Sequence, residues 1–397
     1  MDAALPLSNL RVLHVAETAQ GGVGSYIEDI VALQAERHGV ASLRVVLPRE
    51  HAAHFKRLPA AALRLFDIAG SGRLRNMLRM AVLTLAEVRR WQPDVVHVHS
   101  TYAGFVLRPL LAVLPARPRV VYCAHGWAYD REGSARLNRA LAWVERVWSR
   151  WCDAVVCISQ HDLASALRVG IPAARLLTIC NGIADAPAPT PGATAAAAQR
   201  WRPGTLRVLF VGRLDRQKGV DVLCEAMQQL GARASAVVVG SAVVAAANGE
   251  PAATLPESMQ VTGWLPRDQI AALYAAAEVL VVPSRWEGFG LVAVEAMRAG
   301  RAVLASRVGG LPEVVDEGVT GGLFEAGDAA ALAGILARLS GAELQAMGAA
   351  GRSRFERLFD VRRVGDELDT LYRRLVAARG DVARPRPGAT VGRAPRL

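Results

Sequence analysis

Short apolar runs alternate with longer segments in which apolar residues recur every three or four positions, from residue 11 almost to residue 375. The short runs are rich in valine and read as buried strands; the longer segments read as helices with one apolar face. Strand-like runs lie at 11–15, 43–47, 95–98, 120–123 and 154–158, and again at 206–211, 236–239, 259–261, 279–282 and 302–305. Strand runs alternating with helix runs in this way are the pattern of parallel sheets covered by crossover helices. Between the two series, DAPAPTPGATAAAA at 185–198 lacks a hydrophobic period and reads as a linker or surface loop. The expected fold is α/β, with two Rossmann-like domains whose parallel sheets face a central cleft. Residues 1–184 form the first domain and 185–358 the second, a helix near 360–378 returns to the first, and 379–397 is a disordered Arg/Pro tail.

Composition narrows this picture. A hydrophobic content of 52% with 21% charged residues fits a globular chain with ample core. The first apolar run contains Arg11 and His14 and has no basic segment before it, so it is a strand and not a signal peptide. Arg79 and Arg108 interrupt the best candidates for a membrane span. The expected location is the cytoplasm, with the inner face of the cytoplasmic membrane as a docking surface. Five cysteines without a C-x-x-C pair read as buried thiols. The net charge of +11 rests almost wholly on arginine, with lysine at Lys56 and Lys218 alone. Such a chain suits anionic partners, either nucleoside diphosphates or acidic lipid headgroups. It shows no nucleic-acid-binding module, so nucleic acid is not an expected partner.

The densest candidate chemistry is PSRWEGFGLVAVEAMRAGRAVLAS at 283–306. A buried strand leads into the glycine-flanked turn Gly288-Phe289-Gly290 and then an apolar helix whose one early charge is Glu295. A carboxylate there needs donors, which ribose or sugar hydroxyls could supply, and the free N–H groups at the helix start suit phosphate. Alone, the pair Glu287 and Glu295 is better read as a first-turn acid and a carboxylate facing solvent or Arg298. Three other segments favour a ligand. GGVGSY at 21–26 follows the first strand and lets backbone approach a diphosphate; it is not G-x-G-x-x-G, which disfavours NAD. VGRLDRQKGVDVL at 211–223 places Arg213, Arg216 and Lys218 between a strand end and a helix start. Cations there could neutralise a leaving diphosphate. In CAHGWAYD at 123–130, His125 follows a strand directly and stands at the carboxyl edge of the first sheet, whereas His14, His97 and His99 read as core or edge histidines. No Asp-x-Asp occurs, so no metal–diphosphate clamp is expected, and no metal or other cofactor.

In this order and spacing, GGVG at 21, HGW at 125, IS at 158, NGI at 181, VGRLDRQKG at 211, PSRWEGFG with its E-x7-E, and GGLPEVV at 309 resemble the retaining glycosyltransferases of family 4 with the GT-B fold. These are bacterial enzymes of polysaccharide, lipopolysaccharide and glycolipid assembly, and the resemblance spans about residues 10–375. It implies a UDP- or GDP-sugar donor and a glycan or polyprenyl-diphosphate-linked acceptor. It further implies that the Gly22 amide meets the donor diphosphate and that Arg213 and Lys218 bind it. The same resemblance implies that the amides of Phe289, Gly290 and Leu291 face phosphate or sugar, that Glu295 holds the ribose, and that Glu287 and His125 lie at the donor sugar. The loop GSAVVAAANGEP after residue 239 lacks the glycine-rich continuation common in the family, which leaves base recognition open. A GT-B nucleotide-sugar epimerase or hydrolase is the alternative enzyme reading, and a basic nucleic-acid-binding protein the non-enzymatic one.

On the acceptor side, residues 134–153 read as a helix with Leu137, Leu141, Val144 and Trp148 on one face. The other face carries Arg139, Trp143, Arg146 and Arg150. That second face, with the arginines of 73–90, is a candidate for an anionic membrane surface; a solvated arginine face is the plainer reading.

Overall fold

The central strands are dominated by valine, leucine and alanine and buried on both faces, with His14, His97 and His99 buried among them. A computed structural model describes residues 10–68, 72–241 and 256–378. Its first sheet contains β1 (Val12–Ala16), β2 (Leu43–Pro48), β3 (Leu63–Phe66), β4 (Val95–His99), β5 (Arg119–Cys123), β6 (Ala154–Cys157) and β7 (Leu176–Thr178). They lie in the order β3-β2-β1-β4-β5-β6-β7 with every pairing parallel. The second sheet contains β8 (Leu206–Val211), β9 (Ala234–Val239), β10 (Met259–Gly263), β11 (Val279–Val282), β12 (Ala302–Ser306) and β13 (Gly321–Phe324). Its order is β10-β9-β8-β11-β12-β13, again parallel throughout.

Each sheet reverses its winding once, between β1 and β4 in the first and between β8 and β11 in the second. The crevice outside the carboxyl ends of strands at such a reversal is where ligands of open α/β sheets bind. Strands β3, β7 and β13 are absent from the sequence reading for one reason: all three are sheet edges. The first two are only half-buried, and β13 opens with two glycines, so none has a strong apolar signal.

Successive residues of β1 serve opposite sides of the sheet. Val12 and Ala16 join a cluster with Tyr26, Ile27 and Ile30 of the helix Gly21–His38, whereas Leu13 and Val15 pack with Met80, Leu107 and Leu111 from the opposite helical layer. The first cluster continues without a break into Phe289, Val294 and Val303 of the second half. The helix Val361–Ala377 lies against Gly21–His38, with Arg37 2.8 Å from Asp366, His38 3.0 Å from Asp369, and Gly365 directly over Leu33. A second layer is pinned by Arg108, which is fully buried, sits 2.7 Å from Glu145 and lies over the Tyr122 ring.

The segment 185–198 is not a loop throughout. Pro191–Ala198 forms a helix, with proline in its first turn and the Thr190 hydroxyl accepting from the Ala193 amide. Alanine has no hydrophobic period to detect, yet it has the highest helix propensity. The tail expected at 379–397 lies outside the described residues, as does most of the loop after β9. Among the described residues no helix is long and apolar enough to cross a membrane, and all five cysteines are free thiols.

Candidate active site

Both winding reversals are occupied by the residues singled out above. The loop after β8 ends in a short turn capped by Asp215, whose carboxylate accepts from the Lys218 amide. Gly219 then adopts φ +65°, where a Cβ would lie 2.0 Å from the Pro283 carbonyl. That close approach brings the loop onto the segment after β11. Lys218 Nζ stands 2.5 Å from Glu287 Oε2, and the Ser284 hydroxyl donates to the same oxygen at 3.3 Å. Arg213 bonds the Asp215 carboxylate at 2.9 Å and the Gln217 side-chain oxygen at 2.6 Å, and Gln217 in turn donates to the Trp286 carbonyl. Arg213, Lys218 and Glu287 therefore form one connected, charge-compensated cluster.

Glu287 is held from behind as well. Gly309, at φ +55°, passes so close that a Cβ would lie 1.7 Å from the Glu287 carbonyl oxygen. Gly290, at φ +94°, turns the chain into the helix Leu291–Arg298. The Phe289 side chain is buried edge-on against Phe359, which leaves its backbone to face the turn.

Across the cleft, Gly22 lies in the first turn of the helix Gly21–His38, not in a loop before it. A Cβ on Gly22 would stand 3.2 Å from Leu291 Cδ1, so the two helix N-termini meet. Their first N–H groups have no intrahelical acceptors, which makes the meeting point suited to a diphosphate. Glu295 is half-buried rather than fully enclosed, and its pKa is raised by burial, with Arg298 and a hydrogen bond from Tyr274 opposing. Tyr274 donates to Glu295 Oε2 at 2.9 Å, while Arg298 bonds the Ala184 carbonyl at 2.8 Å.

His125 follows β5 at φ +57°, a conformation that costs a non-glycine residue about 1–2 kcal/mol. Gly126 comes next and touches Gly288, with a Cβ on the latter only 3.2 Å from Gly126 Cα. This contact places the histidine loop beside the glycine turn. Burial lowers the His125 pKa to about 4, so the imidazole is neutral at physiological pH. Its Nε2 lies 2.9 Å from His99 Nδ1.

Further contacts join the two halves, and of their side chains only Arg216 was a candidate in the sequence. Glu313, within GGLPEVV, accepts from the amides of Gln160 and His161 at 2.7 Å each and so caps the helix Gln160–Arg168 of the first half. Arg267 pairs with the buried Glu28, and Arg216 bonds Glu132 at 3.0 Å. The motif GGLPEVV was legible, but the role of its carboxylate as a cap was not. Among the described residues, His14, His97 and His99 are close enough together to share an ion. They fit a metal poorly: no carboxylate bonds any of them, and both nitrogens of His14 and His99 already have partners.

Residues 21–182 match the family described as Glycosyl transferase 4-like domain, and residues 205–341 the family Glycosyl transferases group 1. The chain is 30% identical to a glycogen synthase of Mycobacterium tuberculosis, over 80% of this chain and 76% of that one. It belongs to the family 4 glycosyltransferases. This glycosyltransferase is also 28% identical to an uncharacterized 41.2 kDa protein in the cps region of Klebsiella pneumoniae, over 81% of its own length and 87% of the relative's. Among solved structures, HepE of Anabaena in complex with UDP superposes with a TM-score of 0.75 at 21% identity, covering 91% of this chain and 99% of that one. The architecture of the glycosyltransferase is GT-B, as the motif order implied.

Proposed function

We propose that the glycosyltransferase moves a hexose-type sugar from a UDP- or GDP-sugar to a glycan or polyprenyl-diphosphate-linked acceptor, with retention of configuration and without a metal ion. The observation that carries this reading is the cluster of Arg213, Lys218 and Glu287 beside the joined helix starts at Gly22 and Leu291. Two fixed cations and two sets of amide donors can take the charge that develops on a leaving diphosphate, the part a metal plays elsewhere. The UDP held by HepE and the cps-region relative support the donor class and the role in polysaccharide assembly.

The remaining roles follow from geometry. Glu295 keeps one oxygen on Tyr274 and has the other for ribose hydroxyls. Glu287, neutralised by Lys218, is a poor free nucleophile and a good acceptor for sugar hydroxyls. Same-face attack through an oxocarbenium-like state, with the leaving phosphate taking the acceptor's proton, then needs no further protein base. A nucleotide-release assay over UDP- and GDP-sugars, with a panel of polyprenyl-diphosphate acceptors, tests the reading. Acceptor-dependent release from one donor is expected; rapid donor hydrolysis or epimerisation without acceptor contradicts it.

The acceptor reading places the first half against an anionic membrane. Leu74, Leu78 and Val82 are 69%, 57% and 67% exposed at successive turns of the helix Arg73–Trp91. Arg73 lies over the Tyr102 ring, and exposed Phe105 stacks on Trp148 of the helix Ala135–Trp148, whose Trp143 is 60% exposed. Leu137 of the same helix is exposed as well. Apolar side chains ringed by arginine suit a headgroup layer. Co-sedimentation with vesicles containing anionic lipid is expected at low salt, and its absence there refutes the membrane reading.

A further inference from the structure

Behind His125 runs a buried line of side chains that the donor-site reading does not use. His14 lies on β1 and His97 and His99 on β4, with His14 registered directly against His97. All three are completely buried, and Gln34 of the helix Gly21–His38 is buried beside them. Gln34 Oε1 is 2.8 Å from His14 Nε2, His14 Nδ1 is 3.0 Å from His99 Nε2, and His99 Nδ1 is 2.9 Å from His125 Nε2. Four side chains are thus joined end to end through both nitrogens of each inner ring.

A neutral imidazole has one N–H donor and one lone-pair acceptor. Burial lowers the His14 pKa to about 4, opposed by the hydrogen bond to Gln34, and pushes His99 well below its ordinary value. Every ring in the line is therefore neutral at physiological pH. A line of neutral rings can run in only two ways, because the choice at one end fixes every bond. An amide oxygen can only accept, so His14 Nε2–H donates to Gln34. His99 Nε2–H then donates to His14 Nδ1, and His125 Nε2–H donates to His99 Nδ1. His125 Nδ1 is left as a bare lone pair with no protein partner among the described residues. Turning the Gln34 amide over would reverse all three bonds and put a proton on Nδ1.

We propose that Gln34, through His14 and His99, fixes the tautomer of His125 so that its Nδ1 accepts a hydrogen bond from a hydroxyl of the donor sugar. This rests on the reading that His125 faces the donor. Gln34, His14 and His99 are positioning residues. Their effect is to make the site discriminate between a hydroxyl that can donate from this position and a group that cannot. A buried amide some way behind the cleft thereby contributes to sugar selection, and the four strands between it and His125 in the sequence conceal it.

The test is 15N NMR of the full chain labelled at histidine, assigned by single histidine-to-glutamine variants, which reports directly which ring nitrogen carries hydrogen. In the unaltered protein His14, His99 and His125 are all expected as Nε2–H tautomers. An Nδ1–H on His125, or one equivalent of bound metal ion taking up the lone pairs of His14 and His99, overturns the proposal. Gln34→Leu removes the terminal acceptor; His125 is expected to lose its single tautomer, and kcat/KM for the donor to fall about tenfold. A folded Gln34→Leu protein with His125 still wholly Nε2–H also overturns it. Adding UDP- or GDP-sugar separates the two claims. If the tautomers are as stated but no donor shifts the His125 signals, the donor-site reading fails and the relay stands.

Discussion

Replacing Lys218 by alanine removes the ammonium 2.5 Å from Glu287 and leaves Arg213 as the remaining cation of that cluster. Two consequences separate cleanly. For stability, Glu287 keeps only the Ser284 hydroxyl at 3.3 Å, with the carboxylate side chain 12% and the lysine 20% exposed. Breaking a fully buried pair costs about 3–5 kcal/mol, and an exposed pair is worth about 0–1 kcal/mol. This half-sheltered pair lies between them, at about 1–2 kcal/mol. The variant therefore folds. For catalysis, losing one preorganised contact to the developing charge costs about 2.7–4 kcal/mol, a fall in kcat of roughly a hundredfold to a thousandfold. Steady-state nucleotide release, with circular dichroism confirming the fold, measures the effect. A Glu287→Gln background shows where Lys218 acts. If it only neutralises Glu287, removing it from that background changes nothing; if it binds diphosphate, turnover falls by a further tenfold or more. A folded Lys218→Ala protein within tenfold of normal turnover refutes the assignment.

Further expectations follow from other contacts. Gly309→Ala forces a Cβ into the Glu287 carbonyl at a left-handed backbone position; a displacement approaching 1 Å lowers turnover by about a hundredfold, and unaltered kinetics contradict the packing role. Arg108→Ala leaves Glu145 buried without its cation and destabilises by about 3–5 kcal/mol in denaturant melts, while donor affinity of the folded fraction is unchanged. In an NMR titration His125 stays neutral down to pH 5 and protonates near 4; a midpoint near 6.5 refutes its burial. Because the unfolded chain takes up these protons first, the stability contributed by neutral His14 and His125 is complete above about pH 6.5 and is lost as pH falls towards 4. Asp162, whose pKa burial raises to about 7, works in the opposite direction over the same range.

Much of the fold was legible because central parallel strands are mostly apolar and buried on both faces, as β1, β4 and β12 are buried throughout. Edge strands β3, β7 and β13 carry no such signal, and the alanines of 191–198 conceal a helix by lacking any period. Arg108 illustrates a partial reading: it marked an interrupted apolar run, but only the packing reveals a fully buried cation paired with Glu145. The site was legible one motif at a time, since Lys218 and Glu287 each sit at a strand end followed by a helix. Their pairing across 69 residues was not. Nor was the line from Gln34 to His125, which exists only because β1 and β4 are neighbours at the winding reversal.

On the proposed function, the cleft between the two sheets transfers an intact sugar from a nucleoside diphosphate. Incubating the full chain with the donor it selects and a polyprenyl-diphosphate-linked acceptor, in the presence of a chelator, tests it directly. Mass spectrometry and NMR of the product are expected to show one added hexose in the donor's own anomeric configuration, with one nucleoside diphosphate released per transfer. A product of inverted configuration, transfer that stops when metal is chelated, or free sugar in place of extended acceptor contradicts the account.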